Sequence, residues 1–519
     1  MRAVETAAME SRQVTGLELM ERAGAGVVKA ILSNWPEYRG TRRSGRWRAT
    51  ILCGPGNNGG DGYVVARLLS QVNWEVTVLA YGDPARLPPD ARANHDRWRK
   101  IGPVGRLLGP RLLQADVLVD ALFGTGLTRP VDELAPVFED IHAALQEGFS
   151  GPNSPGIDRL VAIDVPSGLD ADSGRRLCGA DEQGLIYDLT VTFHRRKIGH
   201  LLADGPELSG RLHVVDIGLE PWQRLADDSV LPAGPDARLQ KRGGHKYDHG
   251  HALILGGGAG RGGAARLAAR AALRSGAGLV TLGVPPEALP ENAARLDAVM
   301  LAPLADAQAL EQALRDSRLN AICLGPALGL ERARELVPVA LAAGRATLLD
   351  ADALSAFAGL PDALFSHLHE RAVLTPHEGE FARLFPDLAQ RLAAPAERGP
   401  AFSRLDAARM AAARAGCTVL LKGPDTVIAT PRGQARIAAA VGEDAAPWLA
   451  TAGSGDVLAG IVTGLLARSF APLDAAATGA WLHAEAARRF GPGLIAEDLP
   501  EILPQVFRRL DAEASLRAG

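Results

Sequence analysis

The chain of 519 residues is about three times as long as a typical single domain, so two or three domains with substantial cores are expected. Lys+Arg 56 against Asp+Glu 60 gives a formal net charge of −4, which leaves no basic excess for a phosphate backbone and argues against a dedicated nucleic-acid role. A hydrophobic content of 47% with 22% charged residues excludes a disordered chain and indicates a globular one. Cys53, Cys178, Cys323 and Cys417 form no C-x-x-C pair, which indicates neither a zinc knuckle nor a disulfide framework and fits a reducing cytoplasm. The first 30 residues carry acids throughout and lack an apolar h-region, and no run of 18 apolar residues occurs, so neither secretion nor a membrane span is expected. Only six of the 56 basic residues are lysines, a drift toward arginine that makes each remaining lysine informative.

Short β-type runs bounded by glycines alternate with Ala/Leu/Arg-rich helical stretches, the pattern of α/β layers with mostly parallel strands. In the first half the expected strands are residues 49–54, 75–82, 117–124, 160–168, 189–193 and 212–218. The Pro/Gly/charge-mixed stretch that follows reads as a linker, with a boundary near residues 225 to 240. Strands are expected again at 251–258, 278–285, 321–329, 346–352, 372–380 and 418–426, before a Gly-rich turn opens a helix at 453–467.

The densest motif, Cys53-Gly-Pro-Gly-Asn-Asn-Gly-Gly-Asp-Gly62, sits between a strand and a helix, where backbone amides and a helix N-terminus can face an anion. It contains G-x-G-x-x-G (Gly54, Gly56, Gly59), and Asp83 closes the next strand as a dinucleotide fingerprint requires. That fingerprint leaves the polar cluster Asn57, Asn58 and Asp61 unexplained. Two more strand ends, Asp120-Ala-Leu-Phe-Gly124 and Asp164-Val-Pro-Ser167, belong at the same sheet edge. Asn58, Asp120 and Ser167 are hard oxygen donors suited to an alkali or alkaline-earth cation, although each alone would also serve as a cap.

Together with LELMERAG (17–24), DALFGTGL (120–127), DVPSGLDADSG (164–174), TFHRRKIG (192–199) and DIGL (216–219), this motif resembles the NAD(P)H-hydrate epimerase family over essentially the whole first domain. The resemblance implies a Rossmann-like three-layer domain that interconverts the R and S epimers of hydrated NADH or NADPH with a bound potassium ion. It implies potassium ligands at Asn58, Asp120 and Ser167. Asn57, Asn58, Gly59, Gly60 and Asp61, with Gly124, Thr125, Gly126, Leu127, Thr128, Arg129 and Pro130, would hold the hydrate. Asp164 would touch its reacting ring. Epimerisation at a carbon bearing a hydroxyl beside a ring nitrogen needs reversible bond loss and return from the other face, so Asp164 is the expected acid/base. The alternative is that it only fixes its loop. Lys197 falls on the family segment F-x-x-x-K-x-G.

A second G-x-G-x-x-G (Gly258, Gly260, Gly263) follows a strand in the second half, but the next strand offers no acid until Glu287, which weakens a dinucleotide reading. Near the C-terminus, Thr451-Ala-Gly-Ser-Gly-Asp-Val-Leu458 frees amides for an anion with Asp456 in the first helical turn. Residues 256–280, GPALG (325–329), DADAL (350–354), LTPHEGEFARL (374–384), LKGPDT (421–426) and TAGSGDVLAG (451–460) resemble the ADP-dependent NAD(P)H-hydrate dehydratase branch of the ribokinase-like superfamily, over residues 241 to 510. The resemblance implies that the hydrate's hydroxyl is phosphorylated by ADP and eliminated, releasing AMP and phosphate. Ala264, Gly329, His377 and Asp456 would contact the hydrate. Lys422, Gly423, Pro424, Asp425, Thr426 and Gly455 would bind the adenine nucleotide, Asp456 would be the base, and Mg2+ would bridge phosphates. Ala327 replaces a glycine usual in the family.

The expected whole is an epimerase domain over 1–225 and a dehydratase domain over 235–519, acting on small molecules, without nucleic-acid or membrane partners, and assembled as a homo-oligomer. A ribokinase-type small-molecule kinase, a binding protein built on the first domain, and an NAD-dependent dehydrogenase are the competing readings.

Overall fold

A computed structural model describes residues 1–40, 45–108, 114–148, 156–177, 184–223, 229–241 and 243–518. Cys178 and residues 224–228 of the expected linker lie outside these residues. The chain forms two compact units, Met1–Leu225 with Pro395–Ser403, and Ala226–Ala394 with Arg404–Gly519. Among the described residues no helix is long and apolar enough to cross a membrane. Cys53, Cys323 and Cys417 are free and buried.

The first unit is built on seven strands: β1 (Arg48–Cys53), β2 (Glu75–Ala80), β3 (Val104–Arg106), β4 (Ala115–Ala121), β5 (Ile157–Ile163), β6 (Leu189–Phe193) and β7 (Arg211–Val215). Their order is β3-β2-β1-β4-β5-β6-β7, and all pairs are parallel. β4 is buried along its whole length, as a strand covered on both faces must be, and its sequence ADVLVDA is correspondingly apolar save for the two aspartates. The strand order reverses between β1 and β4, and at such a switch point the two loops diverge and leave a crevice at the carboxyl edge. The segment Pro395–Ser403 belongs to this unit through backbone bonds: Ala401 N donates to Asp170 Oδ2 (2.7 Å) and Gly399 N to Thr128 O (3.1 Å). Asp83 lies beyond the end of β2 and is exposed. Its Oδ1 accepts Ala85 N (2.8 Å), capping a short 3-10 turn.

The second unit has ten strands: β8 (Val230–Pro232), β9 (His251–Leu255), β10 (Leu279–Val284), β11 (Met300–Pro303), β12 (Leu319–Leu324), β13 (Ala346–Leu349), β14 (Ala372–Leu374), β15 (Thr418–Leu421), β16 (Asp425–Ala429) and β17 (Ala435–Ala439). The order is β11-β10-β9-β12-β13-β14-β15-β16-β17-β8. The pairs from β11 to β15 are parallel, and β16 returns antiparallel after a tight Lys-Gly-Pro turn. The expected strand 418–426 is therefore two strands around a turn. β8 lies within the stretch read as linker: a three-residue strand carries no periodic signal, and only its pairing with β17 makes it one.

The helix Ser454–Ala467 packs against the helix Gly262–Arg274 at very close range. A Cβ at Gly460 would lie 2.1 Å from Ala268 O, so only glycine allows this approach, which seats the N-terminus of the first helix over the sheet edge. Ala327 takes φ +49°, a left-handed conformation that costs an L-residue about 1 kcal/mol. Ala327→Gly is therefore expected to stabilise the second unit by about 0.5–1 kcal/mol, read as a higher denaturant midpoint with an unchanged slope. An unchanged or lower midpoint would show that the turn bears no strain.

Candidate active sites at two sheet edges

In the first unit the glycine-rich turn leads from β1 into the helix Asn57–Gln71, whose N-cap is Gly56. A Cβ on Gly54 would lie 1.7 Å from Leu122 O, so glycine is what lets this turn lie against the loop leaving β4. That loop and the one leaving β5 are tied through Asp120. Its Oδ1 accepts Ser167 Oγ (2.7 Å) and Leu122 N (3.0 Å), and its Oδ2 accepts Tyr187 OH (2.5 Å) and Ser167 N (3.1 Å). Ser167 Oγ in turn accepts Phe123 N (3.1 Å). Asp120 is 2% exposed and has no ion-pair partner among the described residues, and burial raises its pKa against the pull of these four donors. A buried carboxylate satisfied by neutral donors alone still lacks a counter-charge.

Asp164, just beyond β5, stands in the left-handed region at φ +68°. Its backbone is clamped by Asp164 N donating to Val191 O (2.8 Å) and by His200 Nε2 donating to Asp164 O (2.9 Å). Its Oδ1 meets Lys197 Nζ (2.7 Å) and accepts Thr192 Oγ1 (3.0 Å), whereas Oδ2 accepts, among the described residues, only Thr125 N, at 3.3 Å. Burial pushes this carboxyl's pKa up, but the charge and hydrogen bond of Lys197, with His200 and Thr192, bring it below the usual value. Asp61, the fifth residue of the helix Asn57–Gln71, moves the other way: burial, then the negative charges of Asp164 and Glu5, push its pKa well up. A Cβ on Gly124 would sit 2.9 Å from Asp164 Oδ2 and 3.2 Å from Asn58 Oδ1, which places both oxygens along one wall. Gly124→Ala is accordingly expected to raise the half-saturating concentration of any ligand in this crevice about tenfold at nearly unchanged fold stability. Equal affinity in the two proteins would place the ligand elsewhere.

In the second unit the carboxyl ends of β13, β14 and β15 deliver Asp350, the Thr375–His377 turn and Lys422 to one edge. Lys422 Nζ lies 2.7 Å from Asp350 Oδ1 and 3.9 Å from Glu380 Oε2. It also lies 3.6 Å from the point where a Cβ on Gly455 would stand, at the mouth of the helix Ser454–Ala467. Asp456 occupies the first turn of that helix. Burial, then the charge of Asp350, raises its pKa to about 6 against the opposing pull of Lys422. His483, buried beneath, donates from Nε2 to Ser454 O (2.9 Å) and holds the start of the helix; burial brings its pKa down to about 4. His377 caps the helix Glu378–Leu384, its Nδ1 accepting Gly379 N (3.0 Å), and leaves its ring half exposed. Gly329 N donates to Asp352 Oδ2 (2.8 Å), and Ala264 lies in the first turn of the helix Gly262–Arg274. Thr426 Oγ1 donates to Gly423 O (2.6 Å), and Arg404 holds Lys422 O (2.9 Å) and pairs with Asp425 (3.0 Å), so the 422–426 turn is rigid.

Residues 16–199 match the family described as YjeF-related protein N-terminus, and residues 252–504 match the family described as NAD(P)H-hydrate dehydratase. A bifunctional NAD(P)H-hydrate repair enzyme of Moorella thermoacetica is 36% identical over 537 residues, spanning 96% of this chain and 94% of its own. The chain belongs to the bifunctional NAD(P)H-hydrate repair enzyme family. An NAD(P)H-hydrate epimerase of Rhodobacter capsulatus is 50% identical over 208 residues, 40% of this chain and 91% of its own. The crystal structure of the ADP/ATP-dependent NAD(P)H-hydrate dehydratase from Bacillus subtilis, co-crystallised with ATP/Mg2+, is 28% identical, covers 52% of this chain and 93% of that one, and has a TM-score of 0.42.

In this member of the repair enzyme family the residues expected from sequence lie on strand ends, turns and the first residues of helices at the sheet edges. Asp120 and Ser167 are joined directly, and Asn58 and Asp164 flank Gly124. The residues that motif reading left without a role are Asp350, Glu380, Thr192, Tyr187 and His200. Asp350 follows the strand run Ala346–Leu349 as Asp164 follows β5, and that position was its one legible signal. Tyr187 and His200 reach the site through the fold alone.

Proposed function

We propose that the first unit epimerises the R and S forms of hydrated NAD(P)H and that the second dehydrates the S form back to NAD(P)H at the expense of ADP. The observation that carries this reading is the pairing of two different acid/base settings: Asp164, held against Lys197 Nζ at 2.7 Å with its pKa below the usual carboxyl value while that of Asp61 is pushed well above it, and Asp456, its pKa raised to about 6 at a helix N-terminus. In the first unit Asp164 Oδ2 takes a proton from the hydrate as the bond at the hydroxyl-bearing carbon opens. Asp61 carries the proton that the departing group needs, and return from the opposite face inverts the centre. Asn57 to Asp61 and Gly124 to Pro130 bind the hydrate. The oxygens of Asn58 and Ser167, with the uncompensated charge of Asp120, fit potassium. Held by these residues, the ion would supply the positive charge that the described neighbours of Asp120 do not.

In the second unit Asp456 accepts the proton of the hydrate's hydroxyl as that oxygen attacks the terminal phosphorus of ADP. The P–O bond to AMP breaks, and the new phosphate ester leaves as the adjoining ring C–H gives up its proton, restoring the dihydronicotinamide. The amides at Gly455 and the ammonium of Lys422 face the transferring phosphoryl. Ala264, Gly329 and His377 bind the hydrate, and Lys422 to Thr426 bind the nucleotide. Asp350, Glu380 and Asp456 outnumber Lys422 at this edge, a balance that suits a magnesium ion carried by the nucleotide phosphates.

The test is recovery of dihydronicotinamide absorbance from a mixture of both NADH-hydrate epimers with ADP, magnesium and potassium. A fast phase equal to the S share followed by a slow phase completing recovery is expected. Replacing potassium by tetramethylammonium should slow the second phase. No recovery with ADP, followed by turnover of another alcohol with ATP, would favour a ribokinase-type kinase.

A further inference from the structure

Four of the six lysines in this arginine-rich chain, Lys29, Lys100, Lys241 and Lys246, are exposed, and a fifth, Lys422, stands at the nucleotide edge. Lys197 is 7% exposed, and its ammonium is enclosed by four oxygens: Asp164 Oδ1 (2.7 Å), Thr192 Oγ1 (2.7 Å), Arg195 O (3.2 Å) and Phe193 O (3.3 Å). A compact ammonium with three rotatable donors fits this cage more closely than a planar guanidinium, which accounts for a lysine surviving here. Thr192 Oγ1 accepts from Lys197 and donates to Asp164 Oδ1, so one oxygen of the carboxylate is held twice. The other keeps a single long bond and lies on the Gly124 wall. The same short segment also sets the backbone: Lys197 N donates to His200 Nδ1 (3.1 Å), which fixes the tautomer whose Nε2–H holds Asp164 O.

We infer that Lys197 is the positioning residue of the epimerase site: it anchors Asp164 Oδ1, through direct contact and through Thr192, so that Oδ2 is the oxygen offered to the substrate. This rests on the epimerase reading above and extends it to a residue that touches no substrate. The groups facing Asp164 are Lys197 and His200 from the segment after β6, Thr192 on β6, Thr125 after β4, and Asp61 on the helix Asn57–Gln71. Lys197 is the group whose charge opposes burial most strongly at the carboxylate; His200, its own pKa brought down to about 4 by burial, contributes less. Without the ammonium, Asp164 keeps its burial and its acidic neighbour Asp61, and its carboxyl takes up a proton at higher pH.

The experiment uses the full chain in the two-phase assay, where the fast dehydratase phase reports that the protein has folded. Lys197→Met is expected to slow the second phase about 30-fold and to make it rise with pH between about 6 and 8.5, whereas the wild type stays flat. Lys197→Arg should keep the flat profile at reduced rate. Because Lys197 acts through Asp164, the double variant with Asp164→Asn should be within about threefold of Asp164→Asn alone. A slow phase in Lys197→Met within about threefold of wild type, an unchanged pH profile, or losses that multiply in the double variant would overturn the inference. If Lys197→Met also loses the fast phase, Thr192→Val carries the test: a loss of about 3- to 10-fold with the same new pH dependence is expected, and an unchanged slow phase refutes it. A wild type with no slow phase beyond spontaneous epimerisation would refute the epimerase reading instead.

Discussion

Asp456→Asn is expected to lower ADP-dependent dehydration about 10³-fold, the size of effect that loss of a positioned general base produces. Asparagine preserves the shape and the helix-capping dipole at the first turn but cannot accept the hydroxyl proton, so the fast phase should disappear while hydrate epimers still interconvert. The wild-type pH profile gives the same residue a second signature. With a pKa near 6, Asp456 is protonated below that pH and cannot act as base, so kcat/KM should fall about tenfold per pH unit on the acid side and level off above about pH 7. Measuring initial rates of dehydration from pH 5 to 8 on the pure S epimer checks both statements. An acid limb that persists in a residually active Asp456→Asn protein would move the base to another residue, and Glu380, whose pKa burial also raises, lies 3.9 Å from Lys422 Nζ at the same edge.

Asp164→Asn is the counterpart in the first unit. The slow phase should fall about 10³-fold to near the spontaneous rate, and recovery should stall at the S share of the mixture. The same substitution leaves the Lys197 ammonium buried without its anion, which costs about 3 kcal/mol even with three neutral oxygens still around it. The unfolding transition of the first unit should drop accordingly. The double variant Asp164→Asn/Lys197→Met should recover part of that loss because no unpaired charge remains. A first unit whose stability is unchanged by Asp164→Asn would show that the pair is open to water in solution.

The alternation of glycine-bounded apolar runs with Ala/Leu/Arg helices was enough to read two parallel α/β sheets, because strands buried on both faces write their position directly into composition. Asn58, Asp120, Asp164, Ser167, Lys422 and Asp456 were legible for a related reason. Each follows or closes a strand run within a few residues or opens a helix, and parallel topology sends such ends to one edge. Short strands were not legible. β3, β8, β11 and β17 are of three to five residues and owe their existence to a neighbour's hydrogen bonds. Nor could local pattern show that Pro395–Ser403 would join the first unit, since its partners Thr128 and Asp170 lie more than 200 residues away in the chain.

The sequence by itself determined which residues can do chemistry, because a carboxylate, an ammonium or a glycine's missing side chain belongs to the residue and not to its surroundings. The tertiary structure decided what each one does with that chemistry. Asp61 and Asp164 are the same residue type, yet one is pushed toward the acid form by burial and like charge, and the other is kept ionised by an ammonium 2.7 Å away. Asp120 and Asp456 likewise differ only in surroundings: four donors that hold a carboxylate in place in one case, and a partly open helix mouth beside Asp350 and Lys422 in the other. Proton affinity in a low-dielectric pocket depends on the distance to neighbouring charges and on exclusion of water, and both are set only when distant segments pack.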